Sequence, residues 1–390
     1  SPDPILAASH LADSLVPDGG QGWIVILGCA IVTWWFIGTS YCWGVFQSAL
    51  VAEGVSAPST LAFVGSVAAA SMAVLGTGAG RAVEGLGARR AAMVGVGLIG
   101  AGEVGSGFVV REVGGLFVMA GVVVGVGMSL CFMVVSIVVS QWFSRKRGLA
   151  NGIVFAGGGL GGAVTSFIIY ALIDKLGTAW AYRVLGFITL ATGLPAAWLI
   201  KERVPIRRPA AFVEWRLFKD YKFVLVFLAG AIGTFPLFVP PFFLPLYSGS
   251  IGLSGSSGAG LVAAFNFSSA VSRVVSGLAC DRIGSLNTVF IALSVNALSM
   301  LALWPVSSTL APLILFAIIN GASNGGFLAT MPTVVSNVFG SARVGVAMGM
   351  IVSGWTAGYL MGAPIAGYLL EAYGGEQAGL KAYRPAMFYA

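Results

Sequence analysis

Charge is what this chain has least of. Asp, Glu, Lys and Arg make up 9% of its 390 residues, against about 25% in an ordinary soluble domain. So low a proportion, beside 57% hydrophobic residues, excludes a soluble domain with one apolar core. Histidine is nearly absent: His10, in the polar N-terminal tail, stands alone. That removes a His-based metal site and a His proton relay inside the apolar runs. The four cysteines, Cys29, Cys42, Cys131 and Cys280, lie in or at the ends of apolar runs, and their spacing suggests neither a disulfide framework nor a metal site. No nucleophile, base or metal constellation appears, which argues against a hydrolase or oxidoreductase, and no cofactor is implied. The first fifteen residues lack the basic start and apolar centre of a signal peptide, and Ser1 replaces an initiator Met, so the chain reads as trimmed.

What is present is a series of long apolar runs: 22–50, 59–80, 91–110, 114–142, 150–173, 182–200, 222–248, 258–280, 287–304, 311–338 and 345–370. Several exceed the roughly 20 residues that cross a bilayer core. The fold class is therefore an all-α polytopic membrane protein, with the lipid bilayer as its first partner. Basic residues orient it. Alternate connections hold Arg81, Arg89 and Arg90; Arg145, Lys146 and Arg147; seven within 201–222; Arg282; and Arg343. The opposite connections hold Arg111, Lys175, Arg183, Lys381 and Arg384. The first set is cytoplasmic by the positive-inside bias, and the N-terminus falls on the same side. The net charge of +7 thus belongs to inner loops, not to a nucleic-acid surface.

An internal repeat organises the chain. At one offset Gly80, Glu84 and Gly87 fall on Gly277, Asp281 and Gly284, while Gly148, Asp174 and Gly177 fall on Gly345, Glu371 and Gly374. The expected division is a tail (1–21), a first six-helix half (22–200), a cytoplasmic linker (201–221) and a second half (222–390) with five helices and the start of a sixth. "AYR" at 181–183 opens the sixth helix and recurs at 382–384, so the chain reads as cut short before its twelfth.

Two six-helix halves in parallel repeat resemble the major facilitator superfamily. "GRAVEGLGARR" (80–90) and "GLACDRIG" (277–284) resemble its loop signature and the counterpart in the second half, with Glu84 and Gly85 replacing the usual Asp and Arg in the first copy. The resemblance implies gating: Glu84 facing the eleventh helix near Arg343, Asp281 the fifth near Arg147, with Arg89 and Arg282 beside them. "PDGGQGW" (17–23) and "SRKRGLANGI" (144–153) resemble signatures of the monocarboxylate transporter family, most closely its fungal branch. Asp18 is expected to accept from free N–H groups where the first helix starts, and Trp23 to sit at the headgroup level. "GGGLGG" (157–162) satisfies a dinucleotide pattern but lies inside an apolar run, so it reads as close packing, with helices five and eleven at the interface of the halves.

Ionisable residues within the apolar runs are the functional candidates, because each is costly there. Arg273 lies about 12 Å from the cytoplasmic Asp281 at 1.5 Å per residue, with no acid in the fifth helix before Asp174. A substrate carboxylate is then its natural counter-ion, as the family resemblance also implies. The family's animal members carry an Asp one turn earlier, where Ser269 stands, and a Lys in the first helix, where this chain has an aromatic and polar stretch around Tyr41. Proton coupling through those groups is therefore in question; Glu103, in the third helix, is the remaining carboxylate, open to proton binding or to a structural or lipid-side role. By the superfamily pattern the cavity is lined by Trp34, Tyr41, Ser129, Phe132, Phe242, Phe243, Asn320 and Asn324, with Asn266 and Trp355 adding from helices eight and eleven. The expected function is secondary active transport of organic monocarboxylates by alternating access, in a fungal plasma membrane, with a small organic anion and protons as partners. The alternatives are export of a larger fungal metabolite, with Arg273 a structural residue bonded to backbone carbonyls or water, and a substrate-sensing receptor that does not transport.

Overall fold

The computed structural model describes residues 16–203, 214–340, 343–375 and 379–389. His10, most of the N-terminal tail and residues 204–213 of the central connection lie outside the described residues. Each apolar run becomes a helix or a broken pair of helices. In order these are α1 (Gly22–Ala52), α2 (Pro58–Val74 with Gly76–Leu86), α3 (Ala88–Ser106), α4 (Val113–Trp142), α5 (Arg147–Leu176) and α6 (Thr178–Leu199). Then follow α7 (Tyr221–Gly233 with Val239–Ser250), α8 (Gly255–Ile283), α9 (Ser285–Val306), α10 (Leu310–Phe339), α11 (Val344–Ala372) and a short α12 (Leu380–Tyr389).

Among the described residues eight helices are long and apolar enough to cross a membrane, nine if the bent α2 is one span. The sequence reading of eleven runs exceeds this at α3 and α7. Arg89, Arg90 and Glu103 fall within the nineteen residues of α3. α7 is interrupted between Gly233 and Val239, around Pro236, whose missing N–H cannot close a helical turn.

Other helices are broken where they approach the middle of the molecule. α1 widens into a π-helical turn at Trp34–Gly38 and breaks again at Cys42. α2 bends by 57° beside Leu75, and α11 is interrupted at Trp355. The repeat is visible in backbone geometry. Gly87 and Gly284, one offset apart, have φ of 81° and 92°, and Gly177 and Gly374 have 80° and 124°. All four close a helix in a conformation that L side chains avoid.

α5 packs along α8, and α2 along α11; these two seams join the first six helices to the later ones. The α5–α8 seam is made of backbone. A Cβ on Gly152 would lie 2.5 Å from the Arg273 carbonyl oxygen, and one on Gly159 2.6 Å from the Ala270 nitrogen. "GGGLGG" therefore serves close helix approach, as in small-residue membrane packing.

Candidate substrate site

The α5–α8 seam carries an unusual polar row. Asn266, Ser269 and Arg273, spaced three and four residues apart, share one face of α8, and all are 0% exposed. Arg273 Nη1 donates to the Phe155 carbonyl of α5 at 2.5 Å, and the guanidinium lies over the Tyr41 ring, 5.6 Å from its centre. Arg273 Nε and Nη2 have no hydrogen-bond partner among the described residues; nor do Ser269 Oγ and both polar atoms of the Asn266 amide. No carboxylate among the described residues pairs with Arg273. The two unpartnered N–H groups are the side-on fork of the guanidinium, the arrangement that takes a carboxylate by two parallel bonds. Their burial is costly in free energy unless an acceptor arrives.

A series of contacting aromatic rings begins at this guanidinium. Tyr41 packs on Phe265 and Phe238 at 5.9 and 5.5 Å, Phe238 on Tyr359 at 5.1 Å, and Tyr359 on Trp355 at 6.0 Å. Trp355 meets Phe132 at 6.3 Å, and Phe132 meets Phe155 at 6.1 Å, bringing the series back to the residue that holds Arg273. The Tyr41 hydroxyl donates to Asn324 Oδ1 at 2.7 Å, and Asn324 Nδ2 to the Leu237 carbonyl at 2.9 Å, tying α1, α10 and the break in α7 together. Trp355 Nε1 is buried with no hydrogen-bond partner among the described residues. Phe242 extends the series through Phe238 at 5.4 Å, while Phe243 is buried on the same helix beside Gly367.

Tyr41, Phe132, Asn266, Arg273, Asn324 and Trp355 are thus brought together. Three other expected residues turn elsewhere. Ser129 donates to the Met72 carbonyl of α2 at 2.9 Å. Asn320 donates to Asn296 Oδ1 and Ser299 Oγ of α9 at 2.9 and 2.8 Å, so it fastens α9 to α10. Trp34, half-buried, lies over Gly161, where a Cβ would meet its ring at 2.7 Å. Sequence reading missed Phe238, Phe265 and Tyr359. The spacing of Trp355 and Tyr359, one helical turn apart on α11, was the available signal.

On the basic face two carboxylates grip the α4–α5 connection. Asp281 accepts from the Gly148 and Leu149 N–H groups at the start of α5, both at 3.1 Å, as the loop signature implied. Asp18 corrects its expectation. It caps not the start of α1 but the connection itself, accepting from Ser144 and Lys146 at 2.8 and 3.2 Å on Oδ1 and from Arg145 at 3.2 Å on Oδ2. Its φ of 50° aims the side chain there, and Trp23 packs edge-on against Phe143 at 4.8 Å. Burial works to raise the Asp18 pKa, but the three N–H donors and the Arg145 charge outweigh it and hold the carboxyl below its ordinary value. A depressed folded-state pKa means that the clasp contributes above about pH 4 and is lost as pH falls through the lowered value. At pH 7.5, Asp18→Ala is expected to speed tryptic cleavage at Arg145–Lys146 about fivefold, the effect of losing roughly 1 kcal/mol of capping. Unchanged digestion would refute the clasp.

Arg147, 5% exposed, donates from Nε to the Phe143 carbonyl at 3.2 Å and from Nη1 to Ser336 Oγ of α10 at 2.7 Å. Asn151 donates to Thr333 of α10 at 3.2 Å. On the opposite face the Ser59 N–H of α2 donates to Glu371 Oε1 of α11 at 3.3 Å. Glu84 lies on the second part of α2, which packs on the start of α11 as expected. Arg343 pairs with Glu214 at 3.5 Å. Arg89 turns to the end of its own bundle, donating to the Ile200 carbonyl at 3.2 Å and lying over the Trp198 ring, and Arg282 is exposed.

Glu103 is not a neighbour of this row. It accepts from Thr189 Oγ1 of α6 at 2.7 Å and lines a separate cavity among α1, α2, α3, α4 and α6. At 1.5 Å per residue it stands about 22 Å from Ala88, toward the outer end of α3.

The comparisons agree with this architecture. The family model described as Major Facilitator Superfamily matches residues 24–312 and 242–390. An MFS-type transporter of Gibberella moniliformis is 28% identical over 96% of this chain and 89% of its own length. The aspyridones efflux protein of Emericella nidulans is 30% identical over 92% of this chain and 74% of its own. The agnestins efflux protein of Paecilomyces divaricatus is 28% identical over 66% of this chain and 60% of its own. The solved structure of the human organic anion transporter MFSD10 (TETRAN) matches with a TM-score of 0.71, covering 95% of this chain and 98% of that one at 14% identity, a likeness of fold alone. Helix order, repeat geometry, family model and relatives converge: the chain is an integral membrane transporter of the major facilitator superfamily.

Proposed function

We propose that this transporter exports a fungal secondary metabolite, an organic molecule with a sizeable apolar body and one acidic group, held at the Arg273 fork. The observation that carries the reading is that fork: two unpartnered guanidinium N–H groups, fully buried, beside a series of aromatic side chains. The cation selects an acid, and the rings receive an apolar body far larger than a short-chain acid supplies. The names of fungal relatives, efflux proteins for aspyridones and for agnestins, support outward movement of such compounds. The two sets of helices act as rocking halves in a plasma membrane, with the basic face cytoplasmic. Asp281 on the α5 amides, Arg147 on Ser336 and Asn151 on Thr333 close that face. Opening it admits the metabolite, and breaking the Ser59–Glu371 contact releases it on the other side.

A second reading, transport of small monocarboxylates, rests on the same arginine and on the family resemblance. Counterflow in proteoliposomes separates them, using labelled acids from lactate size to polyketide size, each with its methyl ester. Exchange of bulky acids but not their esters supports export of an acidic metabolite. Exchange confined to short acids selects the second reading, and exchange of esters equal to acids refutes the role of Arg273. Binding without exchange identifies a receptor.

A further inference from the structure

The Glu103 cavity takes no part in the site just described, yet it is built of polar groups in an apolar setting. It holds about 50 Å³, room for a few waters, and its wall includes Thr39, Ser40, Ser106 and Tyr182 beside Glu103. Ser40 and Ser106 donate back to carbonyls of their own helices, at 2.8 and 2.7 Å, and Thr39 does so to Trp35, which leaves their lone pairs available. The Tyr182 ring is stacked on Phe46 at 3.9 Å and 8°, and its hydroxyl, on a residue 3% exposed, has no hydrogen-bond partner among the described residues.

Among the described residues no Lys or Arg forms an ion pair with the acid. On α6, Arg183 donates to the Gly107 carbonyl at 2.9 Å and lies against the rings of Phe108 and Trp180 at 4.2 and 5.0 Å. On α1 the ionisable neighbours are Tyr41, bonded to Asn324, and Cys42, whose thiol meets the Gly162 carbonyl at 3.1 Å. α2 and α4 contribute only Gly65, Ala68, Ala120 and Val124 to the cavity; Arg81 and Glu84 lie on the second part of α2, and Cys131 is buried on α4. On α3 itself Arg89 and Arg90 stand at the opposite end. An acid in such a place exchanges a proton with water more readily than it finds an ion pair.

The cavity and the Arg273 site share one helix. Ser40 lines the first, and Tyr41, the next residue, lies under the Arg273 guanidinium. The π-helical turn Trp34–Gly38 stands directly before them, and such turns carry backbone slack and gather at functional sites.

We propose that Glu103 is a proton-binding site, separate from the substrate site, whose loading is felt at Arg273 through the Ser40–Tyr41 step of α1. This rests on the transport reading above. The proton passes from water to the Glu103 carboxylate and returns to water; no bond to the substrate forms. Ser40 and Tyr41 act as positioning residues.

Two measurements on the reconstituted full chain test it. The first needs no substrate: pH-difference infrared spectroscopy is expected to show a carboxylic-acid C=O band that titrates in the native protein and is missing in Glu103→Gln, an isostere that still accepts from Thr189. The second is counterflow of the bulky acids against external pH. The native rate is expected to change by up to about tenfold per pH unit where one proton limits it, Glu103→Gln to be flat, and Ser40→Ala to keep the infrared band while losing the pH response. Persistence of the band in Glu103→Gln, or an unaltered pH profile in that variant, overturns the proposal. If the native chain moves none of the acids, the transport reading fails, and the infrared band alone decides for or against the proton site.

Discussion

Arg273→Ala is expected to weaken binding of acidic substrates by about 10- to 100-fold while neutral esters change less than twofold. The estimate follows from hydrogen bonds to a charged group, roughly 1.5–3 kcal/mol net. Scintillation proximity binding with labelled acid and ester measures both. Truncation also leaves the Phe155 carbonyl without its donor, so Arg273→Met, closer in volume, is the companion variant. It removes a buried charge that no carboxylate among the described residues compensates. Its thermal midpoint without substrate is therefore expected to rise above the native value, while acid binding stays lost. A variant that binds acids normally, or a midpoint that falls while binding persists, contradicts the assignment of Arg273 to the substrate.

Gly277→Val is expected to hold the basic face apart. A Cβ at Gly277 would press on the Gly148 carbonyl, with the Gly148 carbon at 3.0 Å and Gly152 Cα at 3.3 Å, all of them backbone. Neither helix can give without moving bodily, so the strain falls on the closed arrangement and spares the open one. Overpacking of about 1–3 kcal/mol converts to a population shift of roughly 5- to 150-fold. A cysteine placed at Ser336, 3% exposed here, in a background without the four native cysteines, reports the shift. Its labelling by an impermeant maleimide in inside-out vesicles is expected to rise by that order. Gly78→Val, where a Cβ meets nothing within 4 Å, is expected to leave labelling unchanged. Equal labelling in both variants rejects the seam as the closing surface.

The helices were readable in the sequence because apolar length is a one-dimensional property, and α1 through α11 each sit on an expected run. The breaks were less so. Pro236 marks the interruption of α7 in the sequence, but the π turn in α1 and the interruption at Trp355 have no proline to mark them. Arg273 was legible because a lone charge in an apolar run needs a partner. Asn320 was misassigned because periodicity gives a face of α10 without saying whether the cavity or α9 lies opposite. Asp18 was misassigned for a related reason. A carboxylate before a helix usually caps that helix, and its target across 126 residues of chain is visible only in three dimensions.

The hydrogen bond from Arg273 to Phe155 has a bearing on how the protein is made. Its acceptor is a carbonyl of α5, a helix that leaves the ribosome more than a hundred residues before α8 does. When α8 arrives carrying an exposed guanidinium, a docking point for it already stands in the bilayer, together with the glycine track on which it settles. Synthesised as a separate fragment, the later helices would have to insert that cation with nothing waiting for it.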